Sequence, residues 1–142
     1  MTAEVFLDAN VLLYACSNAP EDSQKQRLAQ QLMLSAPFAL SAQVLQEFIA
    51  NALRKKVLGI SEANIDATLE MATQVPVLPI TQELIMAAVI LRRRLHVSHW
   101  DSTILAAALE LRCHTLYSED LHHGQDYGGV RVINPFRGKD EA

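Results

Sequence analysis

The sequence predicts an α/β protein of three layers, a mainly parallel five-stranded sheet covered by helices on both sides. Three observations predict it. Short runs rich in β-branched or aromatic residues recur at 5–7, 38–40, 75–80, 115–117 and 130–133. They are apolar without polar alternation, as strands buried on both faces are. Long stretches with apolar residues at helical period lie between them.

Each element has its own signal. Strand 5–7 runs into Asp8 and a helix start near Ala9 or Asn10. Strand 38–40 ends at Ser41, a hydroxyl residue suited to cap the helix that follows. Over 42–57, Val44, Leu45, Phe48, Ile49, Ala52 and Leu53 share one face while Gln46, Arg54 and Lys55 lie on others, and Gly59 is placed to end that helix. Ser61 marks another helix start. After strand 75–80, Thr81 opens a helix over 82–94 with Leu84, Ile85, Ala88, Val89 and Leu91 as its stripe. Ser98 opens the next, 100–112, with Ile104, Leu105, Ala108 and Leu109. Two strands follow, and the polar stretch 137–142 is expected to be a disordered tail. The expected organisation is a single domain over 1–136, since 142 residues that are 50% apolar suffice for one core.

The opening MTAEVFLD has neither the basic start nor the apolar stretch of a signal peptide, and no apolar run is long enough for a membrane span. The expected location is therefore the cytoplasm. Cys16 and Cys113 lie far apart in apolar contexts without zinc or redox spacing, so both are expected to be buried, reduced thiols. The net charge of -4 disfavours nucleic-acid binding only if it is spread evenly. Arg54-Lys55-Lys56 and Arg92-Arg93-Arg94 are the two clusters able to hold a phosphate backbone, although such runs also form ordinary solvated helix faces.

Four acids stand where a sheet of this kind binds ligands, at the carboxyl ends of strands. Asp8 ends the first strand, though it equally suits the cap of the next helix. Glu47 lies about two turns into the helix after the second strand, with Gln43 and Asn51 one turn away on either side. Taken alone it is an ordinary boundary glutamate. Asp101 shares a helical face with Leu105 and Ala108 and also fits a capping box with Ser98. Asp120 follows the fourth strand in LYSEDLHHG, a segment that also reads as a common turn.

Jointly the acids say more. Four carboxylates about 6 Å apart would repel by about 3 kcal/mol per pair at an effective dielectric near 20, or about 15 kcal/mol over the six pairs. Either some are protonated or divalent cations neutralise them. An all-oxygen donor set without Cys or suitably spaced His favours Mg²⁺, or else Mn²⁺. A water held by such an ion can attack a phosphodiester while the ion polarises the phosphoryl oxygen.

FLDANVLLYA, SAQVLQEFIANAL, VSHWDSTILAAALELRC, LYSEDLHHG and the closing VRVINPF occur in that order from 5 to 136. Together they resemble the PIN domain, in particular the VapC-like toxins of type II toxin–antitoxin pairs. The resemblance implies an α/β/α sandwich, a metal-dependent endoribonuclease acting on RNA, a homodimer or larger assembly, and inhibition by a small antitoxin protein. Carried over by position, the catalytic, metal-binding acids are Asp8, Glu47, Asp101 and Asp120, with Asn10 and Ser118 positioning the site or a water. Glu119 competes with Asp120 for the last place, and Ala9 stands where the family often has a small hydroxyl residue.

Other chemistries fit less well. His122 and His123 are adjacent and lack the i,i+4 spacing of a helical zinc pair. Ser118 has no evident paired base, and Trp100 suits either packing or stacking on a base. An aspartyl-phosphate phosphatase of similar topology would want an acid where Asn10 stands and a lysine at the phosphoryl group. A non-cutting RNA- or protein-binding scaffold would leave four costly carboxylates unused.

Overall fold

The computed structural model describes residues 3 to 137, so most of the expected tail at 137–142 lies outside the described residues. Five strands, β1 (Val5–Leu7), β2 (Phe38–Ser41), β3 (Val77–Leu78), β4 (Thr115–Tyr117) and β5 (Arg131–Ile133), form one sheet in the order β3-β2-β1-β4-β5, with every pair parallel. Six helices flank it: α1 (Ala9–Cys16), α2 (Ser23–Ser35), α3 (Ala42–Arg54), α4 (Glu62–Ala72), α5 (Gln82–Leu95) and α6 (His99–Glu110). This is the three-layer α/β arrangement that the apolar runs predict. None of the described helices is long and apolar enough to cross a membrane.

The strand order places the site. The chain builds outward from β1 through β2 to β3, then returns to the other side of β1 to lay down β4 and β5. The direction of winding therefore reverses between β1 and β4, the switch point outside which open α/β sheets leave a crevice. Leu7 pairs with Tyr117, and the Asp8 N–H continues the ladder by donating to the Tyr117 carbonyl at 3.0 Å. Asp8 and Ser118 thus leave adjacent strands side by side.

Beneath that edge, Phe6, Leu7, Leu12, Leu40, Val44, Phe48, Leu105 and Leu116 are fully enclosed. Every residue from Ser102 to Ala108 of α6 is buried, and its three consecutive alanines, 106 to 108, let neighbouring elements approach closely from several sides. That rigid backing holds the first turn of α6, where Asp101 sits.

Several boundaries differ from the sequence expectation for identifiable reasons. Strand β3 is two residues long where 75–80 was expected, because Pro76 and Pro79 bracket it and neither can donate to a ladder. Helix α3 stops at Arg54, and a separate 3₁₀ turn, Lys56–Leu58, runs on to Gly59. Helix α2 has no strong apolar stripe, since only Ala29 of SQKQRLAQQLMLS is buried, and its sequence gives little notice of it. The expectation of two buried thiols holds for Cys113 but not for Cys16, which ends α1 half-exposed with Sγ 3.5 Å from Thr68 Oγ1.

Gly59 does not end α3, which is capped at Lys55, but ends the 3₁₀ turn after it, in the left-handed conformation with φ 61°. Asn18 is fastened to it: the Asn18 N–H donates to the Leu58 carbonyl at 2.7 Å and its side-chain amide to the Gly59 carbonyl at 2.9 Å. A Cβ at position 59 would stand 3.3 Å from Asn18 Cβ. Gly59→Ala is therefore expected to lower stability by about 1–2 kcal/mol, from the left-handed backbone and the tight contact together. In urea titrations this reads as a lower midpoint at unchanged slope.

Candidate functional site

Asp8 is the last residue before α1 and 5% exposed, the most enclosed acid of the sheet edge. Both of its carboxylate oxygens are held. Oδ1 accepts from the Ala9 N–H at 2.7 Å and Oδ2 from the Ser118 hydroxyl at 2.7 Å. The helix-cap reading of Asp8 is therefore met. Burial pushes its carboxyl up to about 6; the bonds from Ser118 and Ala9 oppose the rise, while the charges of Asp120 and Glu47 add to it.

Ser118, fully buried, joins two of the acids: while donating to Asp8, its oxygen accepts the Asp120 N–H at 3.1 Å. Asp120 Oδ2 in turn accepts from the Asn10 side-chain amide at 3.3 Å. Asn10 Oδ1 is buried and has no hydrogen-bond partner among the described residues. An unsatisfied amide oxygen on the residue bonded to Asp120 is an acceptor left over for a water or a ligand for a cation.

Asp101 enters from α6, its N–H capped by the Ser98 hydroxyl at 3.1 Å. Burial raises its pKa, the Ser98 hydrogen bond opposes the rise and Asp120 adds to it. Glu47 enters from α3, where Gln43 donates to its Oε1 at 2.9 Å and the Asn51 side chain donates to its carbonyl at 2.8 Å. The flanking polar residues one turn away thus hold it in place. The charges link all four acids: Asp120 acts on Asp8 and Asp101, and Glu47 on Asp8.

Glu119 is engaged elsewhere. It accepts from the Tyr14 hydroxyl at 2.9 Å and lies 3.8 Å from Lys25 Nζ. Lys25 also stands 4.6 Å over the Tyr14 ring, against which Phe136 packs edge-on at 4.7 Å. This clasp ties the loop after β4 to α1 and α2. Sequence spacing gave no sign of it, because its members come from three distant segments.

The acids do not form a closed cage. Among the described residues, no three acidic, histidine or cysteine side chains stand close enough together to hold an ion between them. The donor set nonetheless suits Mg²⁺. It is all oxygen, it leaves an amide oxygen unused, and Mg²⁺ is commonly held by one or two carboxylates with waters completing its octahedron. The two arginine and lysine clusters are exposed at the ends of α5 and α3. Arg54 reaches back to donate to Asn51 Oδ1 at 2.7 Å. Neither Cys is near this edge by any hydrogen bond: Cys113 Sγ faces the Ala3 carbonyl at 3.4 Å.

Compared with known proteins, residues 5–125 match the family model described as the PIN domain. No curated protein sequence matches the chain. Among solved structures it is similar to a toxin–antitoxin complex from Klebsiella pneumoniae, with a TM-score of 0.64 and 21% identity over 93% of this chain and 98% of that one. It is similar also to Mycobacterium tuberculosis VapC20, a toxin that cleaves the sarcin–ricin loop, at 0.64 and 21% over 82% and 89%. A third is VapBC2 from Rickettsia felis bound to a DNA fragment from its promoter, at 0.64 and 17% over 92% and 97%. At these identities the likeness is one of fold.

Proposed function

The chain belongs to the PIN domain family, a family of nucleases, and from that premise we propose that it is a Mg²⁺-dependent endoribonuclease serving as the toxin of a toxin–antitoxin pair. In this reading Asp8, Glu47, Asp101 and Asp120 are the catalytic, metal-binding acids, and Asn10 and Ser118 position them. The observation that carries it is the electrostatic linkage around the one reversal of the sheet, where Asp120 and Glu47 act on the buried Asp8, raised to about 6, and Asp120 acts on Asp101. A charge so placed is costly unless a cation offsets it.

Bound Mg²⁺ would supply an acidified water and a Lewis acid for the phosphoryl oxygen. The chain's own groups do the positioning. Asp8 is fixed by Ser118 and Ala9, so its oxygens need no reorganisation on loading. Asp120, rather than Glu119, is the fourth acid, because Glu119 is committed to Tyr14 and Lys25. Attack of water on the phosphorus, with the 3′-oxygen leaving, would give a 5′-phosphate and a 3′-hydroxyl without a covalent enzyme intermediate.

The rest of the proposal is a single domain over 1–136, a homodimer, a cytoplasmic location and a small cognate antitoxin as partner. The solved toxin–antitoxin complexes of the same fold support the antitoxin. The phosphatase reading loses ground: Asn10 is bonded to Asp120, and Lys25 is occupied by the Tyr14–Glu119 clasp.

The test is direct. Purified protein is incubated with bacterial RNA and Mg²⁺, Mn²⁺ or EDTA, and new 5′ ends are mapped. Discrete ends bearing 5′-phosphate, in the Mg²⁺ or Mn²⁺ lanes alone, are the expected result. Absence of cleavage with either metal would sink the nuclease reading.

A further inference from the structure

Trp100 is the chain's sole tryptophan, and it is 64% exposed on the first turn of α6, one residue before Asp101. A large apolar ring left in water beside a polar site asks for an occupant. It lines an open concavity of ≈ 470 Å³ together with Gln43, Gln46, Glu47, Ala50 and Asn51 of α3. One of the four acids, Glu47, is part of its wall, and Asp101 follows Trp100 in the first turn of α6.

The lining has the make-up of a base pocket. The indole offers a stacking face, and His99 meets its ring at 62° with centroids 5.0 Å apart. Ala50 leaves space on the α3 side. Around it stand three amide side chains, the groups best able to match the mixed donors and acceptors of a base edge. Gln43 and Asn51 are partly committed to Glu47, whereas Gln46 is exposed and enters no hydrogen bond among the described residues. Arg54, bonded to Asn51, adds a cation at the same rim, where a nucleotide's phosphate would need one.

A protein partner would find better footing elsewhere. Ile85, Met86 and Ile90 are exposed apolar side chains on α5. The Trp100 concavity, by contrast, is rimmed by amides, a carboxylate and a guanidinium.

We propose that the Trp100 concavity is the subsite for one unstacked base of single-stranded RNA, next to the bond that is cut, with Trp100 stacking on the base and Gln46 reading its edge. This rests on the nuclease reading above and gives it a substrate form, an unpaired nucleotide rather than a duplex. Paired bases cannot offer a free face to the indole.

The sole tryptophan makes the test optical. The full chain, with Ca²⁺ in place of Mg²⁺, is titrated with a short single-stranded 2′-O-methyl RNA of mixed sequence and with the same RNA annealed to its complement. Indole emission and the anisotropy of an end label are followed together. Saturable quenching by the single strand alone is expected. Trp100→Ala should weaken its binding by about 5- to 150-fold, the span covered by stacking on one base, while Trp100→Phe stays close to wild type. Equal quenching by the duplex, or Trp100→Ala binding within about twofold of wild type, would overturn the proposal. So would a Trp100→Ala variant that changes the sedimentation behaviour of the protein with RNA affinity intact, since that marks a protein contact. Cleavage in Mg²⁺ is scored separately. A wild type that cuts RNA without quenching refutes the subsite alone, whereas one that binds and quenches but never cuts refutes the nuclease reading.

Discussion

Asp101→Asn and Asp8→Asn are each expected to lower RNA cleavage by about 10³-fold, because a lost metal carboxylate removes about 4 kcal/mol of transition-state stabilisation. The two variants should fail for different reasons. Asp101 is half-exposed on the first turn of α6, so the change there alters the site and little else. Asp8 is held from both sides, and its amide would set an NH₂ against either the Ala9 N–H or the Ser118 hydroxyl. Asp120→Asn and Glu119→Gln form the discriminating pair. The first should cost about 10²-fold or more and the second less than about tenfold, since Glu119 acts only through the loop it anchors. Single-turnover rates on one mapped RNA measure all four, and a larger loss at Glu119 than at Asp120 would exchange their roles.

Stability of the metal-free protein should fall as pH rises through the window from about 4 to about 6. The Asp8 carboxyl titrates near 6 in the fold against an ordinary 3.8, so between those values the folded state holds the proton and the unfolded state has lost it. Stability therefore declines with pH across that interval, by about 3 kcal/mol for a shift of this size, and stays low above it. Asp101 is raised too and acts in the same direction. Two consequences are measurable by thermal unfolding above pH 7. Mg²⁺ at a hundred times its Kd should add about 2.7 kcal/mol to wild type and much less to Asp8→Asn. In EDTA, Asp8→Asn should melt above wild type, by about 1–2 kcal/mol once the mismatched amide is allowed for. An Asp8→Asn variant less stable than wild type in EDTA would mean that the buried charge is already offset within the chain.

Much of this architecture is written locally. Strands β1 and β2 announce themselves because every residue in them is buried, so each reads as an apolar run, while β4 and β5 each show a fully buried central residue between less buried neighbours. Placing Asp8 and Asp120 at carboxyl ends needs only those runs, and the 3.6-residue period brings Gln43 and Asn51 to flank Glu47. The rest depends on partners distant in sequence. Strand order, and with it the reversal between β1 and β4, is a matter of which strand docks beside which. The bridge from Ser118 to both Asp8 and Asp120 follows from that docking, as does the Tyr14–Lys25–Glu119 clasp that separates Glu119 from Asp120. Helix α2 was hard to read because it buries a single alanine, leaving no stripe for periodicity to reveal.

The pairing of β1 with β4 also imposes a schedule. Asp8 and Ser118 lie 110 residues apart in the chain, yet one donates directly to the other. During synthesis, all of the sheet up to β3 can emerge while β1 still lacks the neighbour that will carry Ser118 and Asp120 to it. Until β4 docks, Asp8 lacks its Ser118 partner and Asp120 is not yet held beside it. For an enzyme proposed to cut RNA, cutting power therefore waits on the docking of β4, which follows β1, β2 and β3 in the chain.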